Sequence, residues 1–430
     1  MIDNQIFDLI KQEEQRQLEQ IRLIPSENYV SAGVMRSVGS VLMNKYSEGQ
    51  VGKRYYQGNA NIDLIEALTK GRALLAFGLD PEEWGVNVQA VTGSVANLAV
   101  YSALIEPGDK IMGMFLYDGG HLSHGWQLPP SEKQPEGKKI SFTSRVYQPV
   151  YYYVDPESRV FNYDEVEKRA DEEKPALIVS GGTAYPREID HARMRQIADR
   201  VGAYYMADIA HEAGLVLAGV NESPFPHAHV VTMTTRKTLR GPIGAMIFAR
   251  HDLIEKINSA VFPGLQGGPQ NHSIAGIGVA LHEAMQPEFK EYARQVVKNA
   301  QLLASELIDY GFDVSSGGTD KHLVLIDLRN KNLTGSQAAL ALEKANIIVN
   351  KNTVPGDTAK PWNPSGIRLG TPAITSRGMK ENEMKKIANW INRVLESIED
   401  ESATGQIANE VKSFGLQFPA PGISTQNPRP

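Results

Sequence analysis

A lysine set among hydroxyl groups and glycine is suited to covalent chemistry. Lys237 stands in such a run, His229-Val-Val-Thr-Met-Thr-Thr-Arg-Lys-Thr-Leu-Arg-Gly-Pro. Like-charge repulsion from Arg236 and desolvation would favour its amine form, as a Schiff-base lysine requires. Alone, the run also reads as a phosphate-binding or solvated Thr-Arg-Lys turn, so the assignment needs a partner elsewhere. Upstream, the apolar stretch Ala203-Tyr-Tyr-Met-Ala-Asp ends in Asp208 and delivers His211 three residues later. Open α/β sheets bind ligands at such strand ends. The competing reading is an acid that caps the next helix and a histidine of the core.

The third element is Val88-Gln-Ala-Val-Thr-Gly-Ser-Val-Ala-Asn-Leu-Ala-Val-Tyr, in which Thr92, Gly93 and Ser94 open an alanine-rich helical pattern. Amides at a helix N-terminus favour an anion, although the tripeptide is also an ordinary helix cap. Order along the chain weighs more than any one of these signals. Phosphate cup, ring acid and then lysine is the order expected of a fold-type I pyridoxal-phosphate enzyme. There Asp208 would keep the pyridine nitrogen protonated, which makes the cofactor an electron sink, and His211 would touch the ring oxygen.

Further motifs are Leu23-Ile-Pro-Ser-Glu-Asn, Asn44-Lys-Tyr-Ser-Glu-Gly, Gly52-Lys-Arg-Tyr-Tyr-Gln-Gly, Gly119-Gly-His-Leu-Ser-His-Gly, Asn258-Ser-Ala-Val-Phe-Pro-Gly-Leu-Gln-Gly-Gly-Pro, Val349-Asn-Lys-Asn and Ser365-Gly-Ile-Arg-Leu-Gly-Thr-Pro-Ala. Through this set the chain resembles the serine hydroxymethyltransferase family from about Ile21 to about Asn392. The resemblance implies a reversible transfer of the hydroxymethyl carbon of L-serine to tetrahydrofolate, giving glycine and 5,10-methylenetetrahydrofolate, with pyridoxal 5'-phosphate as cofactor. It implies a large domain built on a mainly parallel sheet and a smaller C-terminal α+β domain.

Residue roles follow from the same resemblance. Lys237 would hold the cofactor, with Thr92, Gly93, Ser94, Thr183, Asp208, His211 and Thr234 around it and His121 stacked on its ring. Two glycines before His121 give the backbone the freedom that stacking needs. His121 and His124 read as a metal pair lack a carboxylate or a further histidine nearby in the sequence, so no metal is expected. Arg368 would grip the substrate carboxylate with its two-pronged guanidinium, helped by Ser26. Glu48 would shuttle protons, with Tyr46 and Tyr56 beside it in a catalytic loop. In the family Tyr46, Glu48, Tyr56, Gly267 and Gly268 reach the site of a neighbouring subunit, which implies a homodimer or a tetramer. Leu116, Leu122 and Asn352 would contact the folate.

Some positions depart from the family pattern. Arg236 replaces a usual histidine and Ile243 a usual arginine, which we read as one compensated exchange of charge. Thr183 replaces a serine, and Glu212 adds an acid after His211. Such changes near the cofactor leave open a related aldolase or hydroxymethyltransferase acting on another β-hydroxy or α-methyl amino acid. A catalytically silent relative is disfavoured by the joint presence of Lys237, Asp208, His211, Glu48 and Arg368.

The net charge of -6 argues against general nucleic-acid affinity, and the absence of cysteine excludes disulfides and thiolate metal sites. With no apolar run near membrane-spanning length and no leader-like N-terminus, a cytoplasmic protein with no membrane partner is expected. Domains are expected at 1–27 (helical arm), 28–275 (large), 276–414 (small) and 415–430 (Pro-rich tail). Helical periodicity predicts a helix from Asp3 to about Arg22, with Ile21 on its apolar face. One long helix is predicted from about Ile274 through Ile308, an amphipathic helix over Lys380 to Ile398, and a surface excursion over Pro129 to Lys139.

Overall fold

The computed structural model describes residues 3–130, 135 and 137–423. The chain forms two compact units, one of Gly33–Lys290 and one combining Met1–Ala32 with Glu291–Pro430.

In the first unit, short runs rich in β-branched and apolar residues form a seven-stranded sheet. Its order is Trp84–Asn87, Ala245–Arg250, Val230–Thr234, Tyr204–Asp208, Leu177–Ser180, Lys110–Met114, Gln148–Tyr152. Ala245–Arg250 runs antiparallel to both of its neighbours, while the pairings from Val230–Thr234 across to Gln148–Tyr152 are parallel. This is the mainly parallel α/β sheet expected. All four residues of Leu177–Ser180 are buried, as in a sheet covered on both faces. The helix Gly93–Leu104 turns Ala96, Ala99 and Val100 inward, and their small side chains let it approach the sheet closely. Asp208 closes its strand in register with Thr232 of the next.

The second unit carries a four-stranded antiparallel sheet in the order Asp313–Val314, Leu323–Asp327, Gly366–Gly370, Asn350–Asn352. The helices Gly335–Lys344, Glu381–Glu396 and Glu401–Gly415 contribute to the same core. The amphipathic helix expected over Lys380 to Ile398 is Glu381–Glu396, with Met384, Ile387, Ala388 and Ile391 buried.

The predicted N-terminal helix is shorter than its periodicity suggested. It spans Asn4–Glu19, and Ile21–Arg22 form a strand that pairs in parallel with Ile347–Ile348. The reason is tertiary. The guanidinium of Arg377 donates to the carbonyls of Gln17, Leu18 and Gln20, satisfying helix-end acceptors, and Ile21 is fully buried in the core of this unit.

The single helix expected over 274–308 is two, Asn271–Ala284 and Pro287–Asp309. Pro287 cannot donate to a continuing helix but suits the first position of a new one. At the other end, Glu401–Gly415 is helical, and Ala420 is buried with Tyr29 and Ala373. Residues 424–430 of the expected Pro-rich tail lie outside the described residues, as do 131–134 and 136 of the expected excursion. That excursion is flanked by the paired strands Gln127–Leu128 and Lys138–Lys139.

Candidate active site

Thr183, Asp208 and Lys237 lie at or just after the C-terminal ends of parallel strands of the sheet. Asp208 is buried there, and its Oδ2 accepts from Asn97 Nδ2 at 2.8 Å and meets His124 Nε2 at 3.1 Å. Its Oδ1 accepts from the amide of Ala210 at 3.0 Å, which fixes the turn toward His211. Burial by itself would raise this carboxyl, but the hydrogen bond and charge of His124, with the bond from Asn97, outweigh it and hold Asp208 far below the ordinary range. Asp208 is therefore a desolvated anion at neutral pH, able to stabilise a protonated ring nitrogen.

Lys237 is buried on the loop that follows the next strand, and Arg236 beside it is exposed. The loop is held at both ends. Thr235 Oγ1 donates to Pro242 O at 2.7 Å, and Thr238 Oγ1 donates to His211 O at 3.0 Å while accepting from the amide of Gly214. His211 is buried, as is Glu212. Thr234 Oγ1 donates to Ala210 O at 3.2 Å, joining the lysine strand to the turn after Asp208.

Thr92 caps the helix Gly93–Leu104 by accepting from the amide of Val95. Thr92 and Ser94 are exposed, so this N-terminus is open to an anion. Gly93 has to lack a side chain, because a Cβ there would lie 2.7 Å from Thr234 Cγ2. Gly119, at φ 114°, turns the chain ahead of His121. Its carbonyl accepts from the amide of Thr183 at 2.6 Å, and the Thr183 hydroxyl donates to Gly120 O at 2.9 Å. Burial pulls His121 down to about 4, with the neighbouring His124 acting in the same direction.

Glu48 lies beside the small hairpin of Gly49–Gln50 and Lys53–Arg54. Tyr46 donates its hydroxyl to Glu48 Oε1 at 3.1 Å, and the rings of Tyr46 and Tyr56 meet edge to face at 5.1 Å. Gly267 and Gly268 lie against this pair, since a Cβ on either would come within 3.0 Å of Glu48 Oε1 or of the Tyr46 ring. Leu116 is half-buried and Leu122 exposed in the same unit.

Arg368, Ser26 and Asn352 belong to the other unit. Arg368 is buried, with Nε donating to Asn350 Oδ1 at 3.1 Å. Burial pushes its guanidinium down to about 10, so it stays cationic at neutral pH. Ser26 is half-buried, and Asn352 Nδ2 donates to Thr353 O at 2.7 Å. Arg236 and Ile243 are both exposed, where solvent screens any exchange of charge between them.

The sequence reading missed Asn97, Ser123 and Thr232 and weighed His124 only as half of a metal pair; these residues surround Asp208 or bond to one another. A signal existed for two of them. Asn97 is the carboxamide residue within the alanine-rich helix, and His124 stands three residues after His121. Arg54 was missed too, and it donates to the carbonyls of Ser47 and Gly49 on either side of Glu48.

The carboxylate that the two histidines lacked in sequence arrives through the fold, since His121, His124 and Asp208 each place a possible ligand atom within 4.8 Å of the others. The cluster is engaged with itself. His124 Nε2 meets Asp208, and His121 Nδ1 receives the amide of Ser123. These residues suit a phosphorylated ring with a basic nitrogen and a carbonyl: an open helix N-terminus, a buried anion and a buried amine on neighbouring elements of one sheet edge.

The family model described as "Serine hydroxymethyltransferase" matches residues 1–391. The cytosolic serine hydroxymethyltransferase of Oryctolagus cuniculus is 47% identical over 460 residues, covering 98% of this chain and 93% of that protein. The serine hydroxymethyltransferase of Desulfotalea psychrophila is 50% identical over 421 residues, covering 98% and 95%. That of Acidothermus cellulolyticus is 50% identical over 427 residues, covering 98% and 96%. With a site of this composition and likeness along nearly its whole length, the chain belongs to the serine hydroxymethyltransferase family.

Proposed function

We infer that the chain catalyses the reversible transfer of the hydroxymethyl carbon of L-serine to tetrahydrofolate, yielding glycine and 5,10-methylenetetrahydrofolate, with pyridoxal 5'-phosphate as cofactor. The observation that carries this reading is the buried Asp208 anion at the sheet edge, with the buried Lys237 on the loop after the next strand, in a chain of this family. Pyridoxal phosphate, when bound, supplies the electron sink for negative charge at the substrate α-carbon.

The protein's own groups bind, orient and move protons. Lys237 offers the amine that bonds the cofactor, Asp208 holds the ring nitrogen protonated, and the amides of Gly93 and Ser94 receive the phosphate. His121 would lie against the ring when the cofactor is bound, and His211 would serve its oxygen. Arg368 takes the substrate carboxylate in a bidentate ion pair, with Ser26 beside it. Glu48, oriented by Tyr46, exchanges protons with the serine hydroxyl or the folate. Leu116, Leu122 and Asn352 are the residues assigned to the folate.

A homodimer, or a tetramer built from dimers, completes the site. In the first unit Val41 and Met43 are exposed on the short turn before Tyr46, with Leu64, Leu68 and Leu75 exposed on the helix Ala60–Ala76 that follows Tyr56, and Ile6, Phe7 and Leu9 are exposed on the N-terminal helix of the second. Exposed apolar side chains of this number are what a second copy would cover. Among the described residues no helix is long and apolar enough to cross a membrane. A cytoplasmic location is part of this reading, and the rabbit relative is named cytosolic.

The test is glycine formation by the purified protein with serine and tetrahydrofolate supplied together and separately. Turnover that needs both supports the reading. Equal glycine formation without folate, or turnover confined to an α-methyl amino acid, overturns it.

A further inference from the structure

Asn97 has no role in the chemistry above, yet its amide is fully engaged inside the site. Its Nδ2 donates to Asp208 Oδ2 and to Ser123 Oγ, each at 2.8 Å, and its Oδ1 accepts from Thr232 Oγ1 at 2.8 Å. An ionised carboxylate only accepts, so the amide nitrogen faces Asp208 and the orientation of the whole amide follows. Ser123 Oγ, having accepted from Asn97, lies 2.6 Å from His121 Nδ1. The main-chain N–H of Ser123 donates to that same nitrogen at 3.2 Å. A main-chain N–H has no acceptor role, so Nδ1 bears no proton here. The hydroxyl hydrogen of Ser123 then turns to Nδ1 as well, and the single ring proton of His121 is on Nε2.

We propose that Asn97 and Ser123 are positioning residues that hold both groups assigned to the cofactor ring in their deprotonated forms, Asp208 as an anion and His121 as a neutral imidazole. The chain from Thr232 through Asn97 and Ser123 favours a neutral His121 with Nε2 as its donor, while the other proton of the Asn97 amide joins the hydrogen bond of His124 in holding Asp208 ionised. The inference rests on the reading that Asp208 and His121 hold the ring, and adds which imidazole nitrogen donates there. It also explains why a neutral imidazole is needed, since an imidazolium would set like charge against a protonated ring nitrogen. The charged or titratable groups acting on His121 are His124, Asp208 and Lys237. Burial works in the same direction as the chain, pulling His121 down to about 4.

The participating residues come from separate elements. Asn97 is on the helix Gly93–Leu104, Asp208 and Thr232 are on adjacent strands, and Ser123 is in the short turn Leu122–His124. One side chain thus ties the helix whose N-terminus is assigned to the phosphate to the acid assigned to the ring nitrogen.

The experiment is nitrogen NMR of the 15N-histidine-labelled protein, with and without bound pyridoxal phosphate, between pH 3 and 8.5. His121 is assigned by the signals missing in His121→Gln. The expected result is a protonated Nε2 and an unprotonated Nδ1 at pH 7. In Ser123→Ala the hydroxyl donor is lost and the His121 midpoint should rise by about one pH unit, the equivalent of one hydrogen bond. Ser123→Thr should restore the original midpoint. Asn97→Ala should weaken cofactor binding by about tenfold, since a buried carboxylate loses a donor. An imidazolium or an Nδ1-protonated tautomer in the wild-type protein at pH 7 overturns the proposal, as does a Ser123→Ala protein indistinguishable from wild type. If the tautomer is as stated but cofactor loading leaves the His121 signals unmoved, the hydrogen-bond chain stands and the placement of His121 on the ring is wrong.

Discussion

The guanidinium of Arg54 and the carboxylate of Glu66 meet at 2.7 Å, with 3% and 1% of their side chains exposed. Asp63 takes a second edge of Arg54 at 2.8 Å, and Lys70 and Gln89 also bond Glu66. Arg54 in turn holds the backbone on both sides of Glu48. Removing one partner of such a pair leaves a buried charge, at a cost of about 3–5 kcal/mol. Glu66→Ala should fall near the lower end, because Asp63 remains for Arg54. Urea unfolding of Glu66→Ala, Arg54→Met and the double variant should show the double change milder than the sum of the singles. Additive losses would show that the two residues act independently.

Lys237 is expected to be the point of cofactor attachment. Borohydride reduction of the cofactor-loaded protein followed by peptide mass spectrometry should place the label on the peptide containing Lys237. Lys237→Ala should lose turnover. A label on any other lysine would refute the assignment.

Glu48 and Lys237 are expected to serve the same site from different subunits. Glu48→Gln and Lys237→Ala proteins, each inactive alone, should regain part of the activity when mixed under conditions that exchange subunits, because a hybrid dimer contains one site with neither defect. Failure to recover, with exchange demonstrated by mass, would mean that each chain builds its own site.

His121 and Asp118 should give opposite contributions to acid stability. The unfolded chain protonates His121 near 6.5, whereas burial pulls the folded group down to about 4. Its contribution is complete above about pH 6.5 and is lost as the pH falls toward 4. Burial pushes Asp118 up to about 6, so the folded state keeps a proton that the unfolded chain releases near 4. Stability contributed by that proton fades as the pH rises through this window. Unfolding free energies between pH 4 and 7 should therefore flatten on the acid side for His121→Gln and gain most above pH 6 for Asp118→Asn. Parallel curves for both variants and the wild type would contradict the assignment.

Several features were legible in the sequence because they depend on neighbours along the chain. The apolar run ending in Asp208 predicted the strand Tyr204–Asp208, and the capping pattern predicted the start of the helix Gly93–Leu104. The order of Thr92, Asp208 and Lys237 followed from motifs that are each continuous. Tertiary structure decided what continuity cannot encode. Ile21 continues the apolar face of a helix, yet it joins a strand because Ile347 offers a parallel partner more than 300 residues away. Asn97 reads as one polar residue in a helix until the register of two strands brings Asp208 and Thr232 to its amide. The same holds for His124, whose carboxylate partner is 84 positions distant, and for Arg54, whose hold on the Glu48 loop depends on Glu66 being buried. Local periodicity reports which face of an element is apolar, but a buried polar group is satisfied by whichever donor the packing delivers, and that choice exists only once the sheet has formed.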